Sequence, residues 1–309
     1  MRSSLAVLLV FVACGPPPVE PRDAGSEGEV DAGTSLRVRL GTFNTHLFFD
    51  TVCQSGSCAP ADFEAQPTQA EFDARAAQLA QAVTSLQTDV LALQEVENQV
   101  CLDALLSRLG DVMPHGALGE LGFAASVDVA VLSKRPIDKV VKRRATEPLT
   151  RPDGSSTTFS RELLEVHTTA ADGTRLIVVA AHFRSKVNDD PGRRLAEAQA
   201  SRRVLEAIAL AEPDALVVLG GDLNDTPGSP PLEALTADGG LIRAAGDRPV
   251  ADQATYIYFG QGQAIDHLLQ APTAGGTLVP YSATTWKDGR GWGGSDHLAL
   301  TADWNLRAR

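Results

Sequence analysis

Ala215-Leu-Val-Val-Leu-Gly-Gly-Asp-Leu-Asn-Asp225 runs an apolar strand into a glycine pair and sets Asp222 and Asn224 at its carboxyl end. Residues i and i+2 of a strand share a face, so the run predicts a carboxylate and an amide projecting together from a sheet edge. α/β proteins commonly place their chemistry at such an edge. The competing reading is a polar turn in which Asp222 or Asn224 caps the segment that follows, a frequent use of strand-end Asp and Asn. Taken alone, the run leaves the two readings even.

The rest of the chain tips the balance, because other apolar runs carry polar residues in the same way. Asn44 closes Arg37-Val-Arg-Leu-Gly-Thr-Phe-Asn, Glu95 closes Asp89-Val-Leu-Ala-Leu-Gln-Glu, and His182 closes Leu176-Ile-Val-Val-Ala-Ala-His. Asp266-His267 lies inside Ala264-Ile-Asp-His-Leu-Leu, and Ser295-Asp296-His297 opens the final run Leu298-Ala-Leu. Ionisable groups in apolar surroundings are costly unless paired or metal-bound. Convergence on one cavity explains the pattern best.

The chain has 309 residues, 43% hydrophobic and 21% charged, enough to bury a substantial core in one soluble globular domain. Residues 1–13 carry one basic residue and an apolar stretch too short for a stable span, and read as an export signal. Phe11-Val-Ala-Cys14 resembles a bacterial lipobox, which makes Cys14 an acylated amino terminus, although Phe11 replaces the usual Leu; an ordinary signal cut nearby is the alternative. Residues 14–35, with Pro16-Pro-Pro, scattered Gly and five acids against Arg22, read as a disordered tether. The expected location is therefore the cell envelope, exported and lipid-anchored.

Residues 36–309 keep a net charge of −9. That acidity counts against tight non-specific duplex binding, yet bound cations or local Arg and Lys can reverse the sign at a site. In an exported protein Cys53-Gln-Ser-Gly-Ser-Cys58 reads as a loop disulfide, with Cys101 bonded to one of them as the alternative. Thr68-Gln-Ala-Glu71 is a capping box ahead of apolar residues at helical spacing, which predicts a helix over 69–87. Further helices are expected over 101–109 and 191–210. Strands are expected near 127–132, 160–166, 175–182, 215–220, 255–259, 264–270 and 298–304, with a loop punctuated by Pro227, Pro230 and Pro231. This mixture means α/β or α+β.

Thr42-Phe-Asn44-Thr, Leu93-Gln-Glu95-Val, Val129-Ala-Val-Leu-Ser-Lys-Arg-Pro-Ile, His182-Phe-Arg-Ser, Gly221-Asp222-Leu-Asn224, Ile265-Asp266-His and Ser295-Asp296-His297 resemble, in order, the motifs of the endonuclease/exonuclease/phosphatase superfamily. The resemblance spans about residues 37–304. It implies a four-layer sandwich, two mixed β-sheets face to face with helices outside, and metal-dependent hydrolysis of phosphate esters. Mg²⁺ is the expected ion, with Mn²⁺ or Ca²⁺ as alternatives.

Carried over position by position, the resemblance makes Glu95 the main metal ligand with Asn44 beside it, and Asp296 a ligand to a second ion or an aid to the first. Asp222 orients and deprotonates the attacking water, Asn224 holds that water or a phosphoryl oxygen, His297 oriented by Asp266 contacts the phosphate, and His182 donates from the opposite side. Thr45-His46 departs from the family, which often has an acid two positions after the Asn, so the second-metal site is in doubt and His46 reads as a polar wall residue. His267, His115 and His167 read as structural. Lys134, Arg135, Arg161, Arg184, Lys186, Arg193 and Arg194 lie beside the motifs and are candidate substrate contacts, the last two after Asn188-Asp-Asp-Pro-Gly in a segment similar to secreted bacterial nucleases; the plain alternative is a solvated charged face.

The expected partner is accordingly a phosphodiester, nucleic acid first and a lipid or inositol phosphate second, with no obligate protein partner. A non-catalytic surface lipoprotein on the same scaffold is a third reading. Aromatics make up 5% of the chain, and no exposed aromatic hairpin for membrane insertion stands out.

Overall fold

The computed structural model describes residues 35–286 and 292–307; the signal, Cys14 and nearly all of the tether lie outside the described residues. In chain order the first elements are β1 (Arg37–Phe48), α1 (Gln69–Leu86), β2 (Val90–Val96), α2 (Gln99–Leu109), β3 (His115–Leu118), β4 (Asp128–Ser133) and β5 (Ile137–Lys142). A short hairpin, β6 (Leu149–Thr150) and β7 (Ser156–Thr157), precedes β8 (Leu164–Thr169), β9 (Arg175–His182), α3 (Pro191–Ala211), β10 (Leu216–Asp222) and α4 (Pro230–Thr236). The chain finishes with β11 (Ile242–Arg243), β12 (Tyr256–Tyr258), β13 (Gln261–Gln263), β14 (Asp266–Gln270), β15 (Gly276–Leu278), β16 (Thr284–Thr285) and β17 (Leu300–Leu306).

These strands form two large mixed sheets, in the orders β15-β17-β1-β2-β4-β3, with β16 on β17, and β11-β14-β10-β9-β8-β5. The pairs β1/β2 and β9/β10 are parallel, and their other neighbours are antiparallel. Strand alternation sorts the core into three layers. Val38, Leu40, Val90, Val131, Val178, Val218 and Trp304 fill the space between the sheets. Leu79, Val83, Leu102 and Leu105 of α1 and α2 cover the outer face of the first sheet through Phe43, Leu91 and Leu93. Leu205, Ile208 and Leu235 of α3 and α4 cover the second through Val179, Val217 and Leu219. The result is the expected α/β/β/α sandwich.

The glycine pair is packed closely on two sides, Gly221 against the adjacent strand β9 and Gly220 against the opposite sheet. A Cβ on Gly221 would stand 2.1 Å from the backbone oxygen of Ala181, and one on Gly220 would press on Leu268 and Ala92 at 3.2 and 3.3 Å. Both positions therefore need glycine for close approach. Asp222 follows, paired in register with His182 on one side and Asp266 on the other.

Several local expectations shift. Strand β8 starts at Leu164 instead of 160, because the Ser160 amide donates to the Glu197 carboxylate (2.6 Å) and leaves the ladder. The proline-rich segment contains α4, with Pro230 and Pro231 in its first turn, where a missing N–H costs nothing. Strand β5 is a charged, largely exposed edge that lacks an apolar face to announce it. Thr68 and Glu71 form the capping box as read. Cys53 and Cys58 are disulfide-bonded, and Cys101, in the first turn of α2, is free and buried. No helix among the described residues is long and apolar enough to cross a membrane.

Gly221→Ala is expected to destabilise the fold by about 2 kcal/mol or more, since a backbone oxygen must move to admit the methyl group. Urea denaturation checks this; a midpoint equal to that of the wild type would contradict the close-approach account.

Candidate active site

Along β1, Val38, Leu40, Thr42 and Asn44 share one phase; along β9, Leu176, Val178, Ala180 and His182 do; along β10, Leu216, Val218, Gly220 and Asp222 do. The apolar members of each series lie in the layer between the sheets. Asn44, His182, Asp222 and, from β14, Asp266 are thus the polar ends of that layer, reached where the sandwich opens.

Glu95 arrives differently. Alternation puts it in phase with Leu91 and Leu93, which face the helices. The ladders on both sides of it are irregular, between Gln94 and Val96 and between Asn44 and Phe48. Glu95 itself has φ 62°, and His46 and Leu47 have φ 53° and 47°. Such bulges re-aim a side chain beside a site. Here the Glu95 carboxylate turns into the cleft, accepting from Asn44 Nδ2 (3.0 Å) and the Leu47 amide (2.9 Å).

Asp222 Oδ2 is the meeting point. It accepts from Asn44 Nδ2 at 3.1 Å, and His182 Nε2 and His297 Nε2 stand 3.5 and 3.9 Å away. Its other oxygen accepts from the Asn224 amide at 2.9 Å. Asn224 does not extend the strand: β10 ends at Asp222, Asn224 has φ 53°, and its side chain donates to the Phe183 carbonyl (3.2 Å). Asp222 thus closes the turn through Oδ1 while its Oδ2 faces the cleft, and Asn224 lies in that turn.

Burial and the neighbouring Asp266 carboxylate push the Asp222 pKa up, against the pull of His297. Burial opposes the His297 imidazolium, but Asp266, which meets Nδ1 at 2.8 Å, together with Asp222 and Asp296 outweighs it and carries the pKa up to about 10. His182 goes the other way: burial, then Arg161 and His297, hold it well below the ordinary histidine range. The site therefore carries one cationic and one neutral imidazole on the same carboxylate at neutral pH.

A divalent cation can be tested against these donors. Glu95, His182 and Asp222 each offer a ligand atom within 4.8 Å of one another, as do Asp222, Asp266 and His297. Asp266 Oδ1 is buried without a hydrogen-bond partner among the described residues. Hard carboxylate oxygens beside open cleft space suit an ion that keeps several waters, so the set fits. Cys53, Cys58 and Glu64 also cluster, but the disulfide leaves no thiolate there.

Asn44, Glu95, His182, Asp222, Asn224, Asp266 and His297 are thus brought together. Asp296 is nearby but pairs with His46 Nδ1 (3.0 Å), and both line the cleft. The cleft encloses about 710 Å³ and also takes in Arg184 and Lys186. Lys186 is tied to Asp225 (3.0 Å), and Arg184 Nη2 to the Asn188 carbonyl (2.6 Å). Arg193 lies elsewhere, against the Thr158 carbonyl (2.9 Å) and Glu197 (3.8 Å), because it follows the Asp190 cap into α3 on a face turned from the cleft lining. His267 is buried and bonded to the Asp225 carbonyl, and His167 to Glu165, which makes both structural.

Arg161, one of the candidate substrate contacts, faces the cleft, whereas Glu197 and Arg75 carry little signal in sequence. Arg161 lines the cleft, meets the Phe183 carbonyl at 3.5 Å, and makes no ion pair among the described residues; burial lowers its pKa while Glu95, Glu197 and Asp222 pull it back. Its charge thus faces the acidic centre. Buried Glu197 accepts from the amides of Ser160 (2.6 Å) and Arg184 (2.7 Å), pinning the segments that carry Arg161 and Arg184. Arg75 of α1 donates to the carbonyls of Thr45, His46 and Gly293, joining the strained end of β1 to the turn before Ser295. Ser295 Oγ then donates to the Asn44 carbonyl (2.7 Å) and accepts from the His297 amide (3.0 Å).

The fold has many solved counterparts. Truncated Caenorhabditis elegans TDP2 superposes with a TM-score of 0.60 at 18% identity, covering 87% of this chain and 97% of that one. The human nocturnin catalytic domain with bound sulfate gives 0.61 at 16%, covering 88% and 96%. D. rerio TDP2 complexed with a single-stranded DNA product gives 0.59 at 16%, covering 87% and 99%. No curated protein sequence matches the chain. The family model for the Endonuclease/Exonuclease/phosphatase family matches residues 41–297, which contain every residue of the centre around Asp222, and the chain belongs to that family of phosphoester hydrolases.

Proposed function

We propose that this chain is a Mg²⁺-dependent phosphodiesterase acting on nucleic acid, exported and held at the cell envelope through Cys14 by the tether of residues 14–35. The observation that carries the chemistry is the convergence of Asn44, His182 and His297 on Asp222 Oδ2 beside Glu95.

Glu95 would hold the cation, with Asn44 beside it orienting that carboxylate through Nδ2 and Asp296 on the same cleft wall. When bound, it supplies positive charge to the phosphoryl oxygens and the leaving alkoxide. Asp222, with its raised pKa, takes a proton from a water lined up behind phosphorus while Asn224 keeps the carboxylate oriented. Attack forms the new P–O bond, breaks the ester bond in line, and places the proton on Asp222. The His297 cation, fixed by Asp266, and neutral His182 contact the phosphoryl oxygens as their charge grows. Arg161, free of a carboxylate partner among the described residues, suits a phosphate oxygen in the same cleft.

Nucleic acid is favoured by the three cations Arg161, Arg184 and Lys186, which line the cleft of an otherwise acidic domain. A lipid phosphodiesterase is the second reading, favoured by the apolar residues Phe63 and Val187 at the same cleft. Incubation of the purified protein with plasmid, RNA and sphingomyelin, with Mg²⁺ or chelator, separates the two. Mg²⁺-dependent cleavage of plasmid or RNA is expected, and hydrolysis confined to the lipid would reject the nuclease reading.

Asp222→Asn should lower kcat by about 10²–10⁴-fold, the usual worth of a positioned general base, while circular dichroism remains that of the wild type. Activity within tenfold of wild type would remove Asp222 from the mechanism. Asp266→Asn deletes the main anion that holds the His297 proton while burial still disfavours the cation, so the His297 titration should fall from about 10 toward neutral pH. Imidazole NMR reads that titration directly, and an unmoved value would disconnect the pair.

A further inference from the structure

An aromatic hairpin that composition does not announce stands exposed at the rim of the cleft. Strands β12 and β13 pair as Tyr256 to Gln263, Ile257 to Gly262 and Tyr258 to Gln261, with Phe259 and Gly260 at the tip. Phe259 is 88% exposed and Tyr258 51%. Phe259 is also in the left-handed region (φ 45°), an unusual conformation for a bulky side chain. Large apolar side chains presented this way on a monomer's surface mark a contact site.

The hairpin is attached to the site. Tyr256 bridges to His297 through the backbone, and its ring centre lies 4.9 Å from the imidazole. From there the aromatic rings continue outward: Tyr256 to Tyr258 at 6.5 Å and 23°, then Tyr258 to Phe259 at 4.5 Å and 70°. Tyr256 and Tyr258 line the same cleft as Asp222 and Arg161.

We propose that this hairpin is a stacking platform for unpaired bases, making single-stranded nucleic acid the preferred form of the substrate. The inference rests on the nucleic-acid reading above. A domain of net charge −9 is poorly suited to track a long anionic duplex by phosphate contacts. Stacking on aromatic rings adds affinity at each base without further cations. Bases inside a duplex already stack on their neighbours and offer no free face, so the platform selects strands whose bases are open. Arg161, Arg184 and Lys186 then suffice for the few phosphates nearest the scissile bond.

The test compares wild type with Tyr258→Ala and Phe259→Ala on a single-stranded oligonucleotide, its duplex, and a strand of the same length carrying abasic residues around the cleavage position. Both side chains are exposed, so folding is expected to be unchanged. Wild type should prefer the single strand, and each variant should raise KM on it by about 5- to 100-fold with little change on the abasic strand; Phe259→Trp should restore affinity. Equal KM values for wild type and variants on the single strand would overturn the platform while leaving the nuclease reading intact. Loss of binding to phosphatidylcholine–sphingomyelin vesicles in the variants, with oligonucleotide KM unchanged, would overturn it in favour of a membrane contact. Absence of nucleic-acid cleavage by the wild type would overturn the nuclease reading and the platform with it.

Discussion

The carboxylate of Asp222 stands at the point where the dry layer between the two sheets ends, and the rest of the molecule is arranged around that position. A buried carboxylate is costly without partners. Register places Asp222 opposite another carboxylate, Asp266, which alone would be repulsive. His297 resolves the conflict by meeting Asp266 directly and standing close to Asp222. Gly220 leaves room for Ala92 and Thr42 of the opposite sheet, and from that sheet Asn44 reaches the same oxygen.

Holding the constellation requires unusual backbone. His46, Leu47, Glu95 and Asn224 all have positive φ, each at a cost of about 1–3 kcal/mol for a non-glycine residue. They cluster at the ends of β1, β2 and β10, where the ladders break and the side chains must leave their strand phase. The surrounding contacts over-determine them: the Leu47 amide on Glu95, the Asn224 amide on Asp222, and the Arg75 guanidinium on the carbonyls of Thr45 and His46. Rigid neighbours turn local strain into fixed geometry, which is what pre-organisation of charged groups needs.

Electrostatics divide the molecule in two. The exterior is acidic, whereas the cleft gathers Arg161, Arg184, Lys186 and a cationic His297. These cations share the cleft wall with the carboxylates of Glu95, Asp222 and Asp296, so positive charge there is local rather than extended. The exposed rings of Tyr258 and Phe259 add a contact that does not depend on charge.

Alternation of apolar residues makes legible the strands at 37–44, 89–95, 175–182 and 215–220 and the polar residues at or just beyond their ends. The capping box at Thr68 and Glu71 marked α1 because its hydrogen bonds are local. Less was visible where the cause is long-range. Strand β8 begins late because Glu197, on α3, takes the Ser160 amide. Arg75 looks like an ordinary surface charge until packing sets it against the site. The turn of Glu95 into the cleft depends on bulges that no periodicity encodes. By itself the sequence determined which residue types would be carried to the ends of strands, since a period of two is a property of the local backbone. Only the tertiary structure decided which of those ends meet, which imidazole keeps its proton, and that an aromatic hairpin stands beside them, because these follow from the distances between segments far apart in the chain.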